Sequence, residues 1–166
     1  MAERRWGACA EFVTAVSDTT ALTTLIKSGL EWLLPQLFGP VLIPDAVARE
    51  LLQFHPMLPE WCSIRSAPSG ELLDRLRLKV DEGEAEAIAL AVAENSSAIL
   101  LDDKKARRHA ESHGLTCLAL PAVPTAARRE GLIPSLAAAF ATIAESGRYR
   151  VADTAALVLL RSVGEA

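Results

Sequence analysis

Short apolar runs alternate with amphipathic stretches along most of this chain. Phe12–Ser17, Ala98–Leu101 and Thr116–Leu120 read as buried strands, and "PVLIP" as a short strand bracketed by prolines. Cys62–Ser66 is a further strand candidate. Helical spacing follows Ser17, with Leu22, Leu25 and Ile26 on one face, and continues through "LEWLLPQLF". Pro44 sits where a helix can begin without losing a hydrogen bond, which predicts a helix over 45–53. Further helices are expected over 71–79, 82–94 and 104–113, the last closed by Gly114. The middle of the 82–94 helix, "AIALAVA", is apolar on every side and so belongs inside the molecule. From Ala122 to about Arg161 the pattern is helical, with breaks at Gly131 and Gly147.

Strands and helices in this alternation imply an α/β fold with a parallel sheet covered on both faces. Such sheets bind ligands at the carboxyl ends of their strands. Asp18 and Asp102 fall at two of those ends. Asp102 is followed at once by Asp103, and two adjacent carboxylates at the end of a buried strand repel each other.

Other acids also sit awkwardly. Glu50 shares a helix face with Ala46, Val47 and Phe54, where a charge is costly unless paired by an arginine or led out to solvent. Glu84 follows Asp81 by three residues, the spacing of a capping box, yet it shares a face with Ile88 and Ala91. Glu82 and Glu86 read as solvated. Asp18 is a natural helix cap. Asp103 suits the first turn of the 104–113 helix and starts an i, i+4 ladder with Arg107 and Glu111. Asp102 has no such structural role. A hard divalent cation, Mg²⁺ or Mn²⁺, would resolve these acids together. His109 and His113 have the spacing of a metal pair but lack a third ligand, so zinc is disfavoured.

Composition narrows the class without changing it. The 166 residues are 51% hydrophobic and 23% charged, which suits one globular domain spanning 1–166, with 1–11 a flexible extension. No stretch reaches the length of a membrane span, and no secretion signal precedes the first strand. Cys9, Cys62 and Cys117 are few and widely spaced, as expected of buried thiols in a reducing cytoplasm. A net charge of −4 gives no global attraction for nucleic acid, so a polyanion would need bound cations or a local basic patch. Lys104, Lys105, Arg107 and Arg108 supply such a patch beside Asp102, with Arg128 and Arg129 as weaker candidates. Aromatic residues are only 5% of the chain, and none adjoins the acidic motifs.

The order "VSDTTAL" … "PDAVARELL" … "GEAEAIALA" … "ILLDDKKARRHAESHGL" resembles the PIN domain, over about residues 12 to 150. Within that superfamily it is similar to the branch with GEAEAI and DDKxAR-type signatures, related to ribonuclease toxins of toxin–antitoxin pairs. The resemblance implies a three-layer α/β/α sandwich with a central parallel sheet. It implies a divalent-metal-dependent endoribonuclease acting on single-stranded RNA, often dimeric and partnered by an antitoxin. Asp18, Glu50, Glu84 and Asp102 would be the catalytic acids. Asp18, Glu84, Asp102 and Asp103 would hold Mg²⁺ or Mn²⁺, and Thr19 or Thr20 would supply a hydroxyl near the first aspartate. Glu84 stands where many PIN nucleases carry aspartate, and Pro121 and Pro124 replace the glycines common after the last strand. One rival is a PIN-like module that binds RNA or protein with little turnover. A receiver-like phosphoacceptor is a weaker one, because it leaves Glu50 and Glu84 without a role.

Overall fold

The computed structural model describes residues 14–147 and 149–166. The elements run β1 (Ala15–Ser17), α1 (Thr19–Ser28), α2 (Leu33–Phe38), β2 (Val41–Ile43), α3 (Asp45–Phe54), β3 (Cys62–Ile64) and α4 (Glu71–Arg77). They continue with α5 (Glu82–Ala93), β4 (Ala98–Leu100), α6 (Lys104–Ser112), β5 (Cys117–Leu118), α7 (Ala122–Arg129), α8 (Leu136–Glu145) and α9 (Asp153–Ser162). The five strands form one all-parallel sheet in the order β3-β2-β1-β4-β5.

Successive strand residues point to opposite faces, and here both faces are apolar, as a parallel sheet requires. Ala15, Val41, Ile43 and Leu100 enter one core with α1, α2, α7 and α8. Val16, Leu42, Ile99 and Leu101 enter the other with α4, α5 and α6. The architecture is thus an α/β sandwich with helices on both faces of a parallel sheet. The helix 82–94 is as buried as its composition demands, down to Ala91.

Several expectations need correction. The strands are shorter than their apolar runs: Leu101, just past β4, is buried and still donates its N–H to the Leu118 carbonyl at 3.0 Å, while the N–H of buried Leu120 goes to the Asp102 side chain. The start of the first predicted strand and the 1–11 extension lie outside the described residues. Phe54 is not on the buried stripe of α3 but 61% exposed, one position before the chain leaves the helix. Glu86, expected in solvent, is buried: its Oε2 accepts from the Ala46 N–H at 2.9 Å, and Oε1 meets Arg77 Nη2 at 3.4 Å. The Asp103–Arg107–Glu111 ladder does not form among the described residues, since Asp103 turns back to cap α6.

The strand order reverses direction between β1 and β4. β1 connects outward to β2 on one side, and the chain crosses back to β4 on the other. In open parallel sheets this switch point opens a crevice at the carboxyl ends. Ser17 pairs with Leu100, so the residues that follow these two strands are brought to that crevice together.

Candidate active site

Asp18 stands directly after β1 and is 3% exposed. Its backbone N–H donates to the Leu100 carbonyl at 3.1 Å, and its Oδ1 accepts from the Ala21 N–H at 3.0 Å, capping α1. The capping role read from the sequence is real, but it leaves the second oxygen and most of the desolvation cost unanswered. Burial, above all, raises the Asp18 pKa to about 7. The neighbouring charges of Asp102 and Glu84 push the same way, against the Ala21 and Asp102 N–H groups.

Asp102 follows β4 on the adjacent strand. Its Oδ1 accepts from the Leu120 N–H at 2.8 Å, while Oδ2 is buried with no hydrogen-bond partner. Burial again raises its pKa, opposed by the Leu120 N–H and by Arg107. A buried carboxylate oxygen without a donor costs on the order of 1–3 kcal/mol or more, and a bound cation removes that cost.

Glu50 and Glu84 close the site from the helices. Glu50 lies on the second turn of α3, where its Oε2 accepts from the Thr19 hydroxyl at 2.5 Å. The partner on this apolar face is therefore a hydroxyl and not an arginine. Glu84 completes a capping box: its N–H donates to Asp81 Oδ1 at 3.0 Å, and its own Oε2 accepts from the Asp81 N–H at 3.3 Å. Partial burial is the main cause that raises Glu84 to a pKa of about 7, with the charges of Asp81, Asp103 and Glu50 adding to it.

A cleft of about 220 Å³ is lined by Asp18, Thr19, Thr20, Glu50, Asp81, Gly83 and Glu84. Gly83 faces Glu50: a Cβ there would stand 3.4 Å from Glu50 Oε1. Asp102 and Asp103 are not in that lining. Asp102 reaches Asp18 electrostatically from the β4 side, and Asp103 reaches Glu84 while its Oδ1 caps α6 through the Lys105 and Ala106 N–H groups. Asp18 is thus the hinge between two acidic groups, one in the cleft and one at the end of β4. Among the described residues no three His, Cys, Asp or Glu side chains are already drawn into a closed metal cage. The donors nevertheless suit a hard cation: all are carboxylate oxygens, three are held at raised pKa, and one oxygen has no donor.

Of the basic residues, Lys104, Lys105 and Arg108 are exposed on α6, and Arg107 acts on Asp102. Arg128 pairs with Glu165 at 2.7 Å, and Arg129 donates to the Ser162 hydroxyl at 3.1 Å, both partners in the C-terminal segment. A family model described as PIN domain matches residues 14–165.

The chain belongs to the PIN-domain family.

No curated protein and no solved structure shows significant similarity to it. PIN domains are generally nucleases, and the cleft lies where this PIN fold brings its strand ends together. No helix among the described residues is long and apolar enough to cross a membrane. Sequence reasoning took Asp81 only as a cap and passed over Gly83. The charge density of "DEGE" was the available signal for both.

Proposed function

We propose that this PIN domain is a divalent-metal-dependent endoribonuclease that hydrolyses phosphodiester bonds in single-stranded RNA. One observation carries the reading. Asp18, Glu50 and Glu84, distant in sequence, line one cleft, and Asp102 acts on Asp18 from the end of the neighbouring strand; Asp18, Glu84 and Asp102 have raised pKa values, and Asp102 Oδ2 lacks a donor. Maintaining such a cluster without a counterion destabilises the fold, so its presence is best explained by ion binding.

Asp18 and Asp102 would be the principal ligands of Mg²⁺ or Mn²⁺, with Glu84 and Asp103 on the helix side. When bound, the ion activates a water and stabilises charge on the phosphate and leaving oxygen. The chain does the rest. Thr19 fixes the rotamer of Glu50 by its hydrogen bond, which leaves the other Glu50 oxygen facing Gly83 and the cleft, placed to accept a proton. Lys104, Lys105, Arg107 and Arg108 flank the site at the start of α6 and would hold backbone phosphates on either side. Thr20 lines the mouth of the cleft. A role as the toxin of a toxin–antitoxin pair, working as a cytoplasmic homodimer, is the biological setting that fits this chemistry.

A second reading, a PIN-like binding module with little turnover, draws on the commitment of Glu84 to its capping box. Cleavage of fluorescent single-stranded RNA in Mn²⁺ decides between them. Wild type should cut, and Asp102→Asn should lose at least about a hundredfold, typical of removing a charge that stabilises the transition state. Equal residual rates in both proteins would overturn the nuclease reading.

A further inference from the structure

Helix α3 begins after Pro44, which has no side-chain acceptor to offer the first N–H groups of the helix. The cap comes from α5 instead. Glu86, 40 residues further on and 7% exposed, accepts at Oε2 from the Ala46 N–H at 2.9 Å. A carboxylate there also suits the positive end of the helix dipole. Its other oxygen, Oε1, meets Nη2 of Arg77, the last residue of α4, at 3.4 Å, so the buried charge is paired. Arg77 also reaches Glu82 Oε1 at 3.6 Å, and Arg49 of α3 meets that same oxygen at 3.8 Å. Those two contacts are exposed and contribute little, which leaves Glu86 as the buried joint between α3, α4 and α5.

The joint lies against the wall of the cleft. Glu50 stands one turn beyond Ala46 on the same face of α3. Glu84 precedes Glu86 by two residues, a spacing that sends the two side chains to different sides of α5. Glu84 lines the cleft, and Glu86 holds the start of α3. Between them the first turn of α5 comes up against α3: a Cβ on Gly83 would stand 3.4 Å from Glu50 Oε1 and 3.5 Å from Val47 Cγ2. The reach of one side chain therefore sets how closely the helix bearing Glu50 approaches the helix bearing Glu84.

We propose that Glu86 is a positioning residue, which caps α3 from α5 and so fixes Glu50 across the cleft from Glu84. This rests on the nuclease reading above and deepens it by naming what holds the proton acceptor in place. Glu86 itself touches no substrate. It acts through Glu50, and a catalytic group misplaced by about 1 Å loses up to about a hundredfold in rate. The quantity that matters is the length of the side chain, while its charge serves only the pair with Arg77.

The test separates reach from charge. Glu86→Gln keeps the reach and an acceptor for the Ala46 N–H, whereas Glu86→Asp keeps the charge and is one methylene short. Cleavage of fluorescent single-stranded RNA in Mn²⁺ is read as kcat and KM, below each thermal midpoint, with Glu50 intact and in a Glu50→Gln background. Crystal structures of wild type and both variants read the Glu50–Gly83 spacing without any turnover. Glu86→Gln should keep the spacing and cleave close to the wild-type rate. Glu86→Asp should change the spacing and lose about ten- to a hundredfold in kcat at unchanged KM, with no further loss once Glu50 is glutamine. Full kcat in Glu86→Asp, an equal loss in the Glu50→Gln background, or a loss confined to Glu86→Gln overturns the proposal and leaves the nuclease reading standing. So does an unchanged Glu50–Gly83 spacing in Glu86→Asp. A wild type that neither takes up Mn²⁺ nor cleaves RNA overturns the nuclease reading, and the crystal spacing alone then decides whether Glu86 sets the approach of α3.

Discussion

Asp18→Asn should stabilise this protein while abolishing metal uptake. Asparagine is nearly isosteric and keeps a carbonyl oxygen to accept from the Ala21 N–H, so the cap on α1 survives. What disappears is a buried charge whose pKa is raised from 3.8 to about 7. In the folded chain Asp18 therefore holds its proton over a range where the unfolded chain has released it. Stability from this group is fully present below pH 3.8 and is lost as pH rises through about 7. The displacement of about three pH units, at about 1.4 kcal/mol each, makes the ionised group cost about 4 kcal/mol at pH 8. The cost shrinks to about 1–2 kcal/mol at pH 5. For a chain of this length each kcal/mol moves the midpoint by about 2–4 °C. In EDTA at pH 8, Asp18→Asn should melt about 8–16 °C above wild type, and the gap should narrow by more than half at pH 5. Mn²⁺ should raise the wild-type midpoint and leave the variant unmoved, because only an intact site gains stability by binding. Differential scanning fluorimetry at both pH values, with and without Mn²⁺, reads all of this. A variant less stable than wild type at pH 8 in EDTA would refute the reasoning, since it would mean that the aspartate is satisfied without an ion.

Two further outcomes test the scaffold of the site. Glu86→Ala removes the acceptor of the Ala46 N–H and the partner of Arg77, leaving a buried donor at the start of the helix that carries Glu50. That should cost about 2–3 kcal/mol and lower the midpoint about 5–10 °C, with Glu86→Gln recovering most of the loss by calorimetry. Gly83→Ala places a methyl 3.4 Å from Glu50 Oε1 and 3.5 Å from Val47 Cγ2, which is ordinary contact. It should therefore leave stability equal or raise it by about 0.5–1 kcal/mol, from the better helix propensity, while slowing RNA cleavage by narrowing the cleft. Cleavage unchanged in a folded Gly83→Ala protein would remove Glu50 and Gly83 from the working part of the site.

Much of the sheet was legible because its strands are apolar on both faces, and short continuous runs such as Ala98–Leu101 have few other readings. The acids that drew notice were those whose neighbours along the chain made a charge expensive. Asp102 at a strand end and Glu50 among Ala46 and Val47 are the clear cases; Glu50 lines the cleft, and Asp102 acts on Asp18 from beside it. Glu86 was misread for a converse reason. Its burial depends on Arg77 and the Ala46 N–H, partners from α4 and α3 that no periodicity within α5 reveals. Local patterns announce a residue out of place, whereas the partner that answers it is a property of the tertiary fold. Arg128 and Arg129, the weaker basic candidates, likewise have partners that only the tertiary fold supplies, Glu165 and Ser162.

The most direct test is a crystal structure of the wild-type protein grown with Mn²⁺, with anomalous scattering collected to locate the ion. The account predicts a peak at the carboxyl ends of β1 and β4, bridging Asp18 and Asp102 at about 2.0–2.2 Å, with Glu84 drawn toward it. An anomalous map empty at that crevice under saturating Mn²⁺, with Asp102 Oδ2 still lacking a partner, would contradict it.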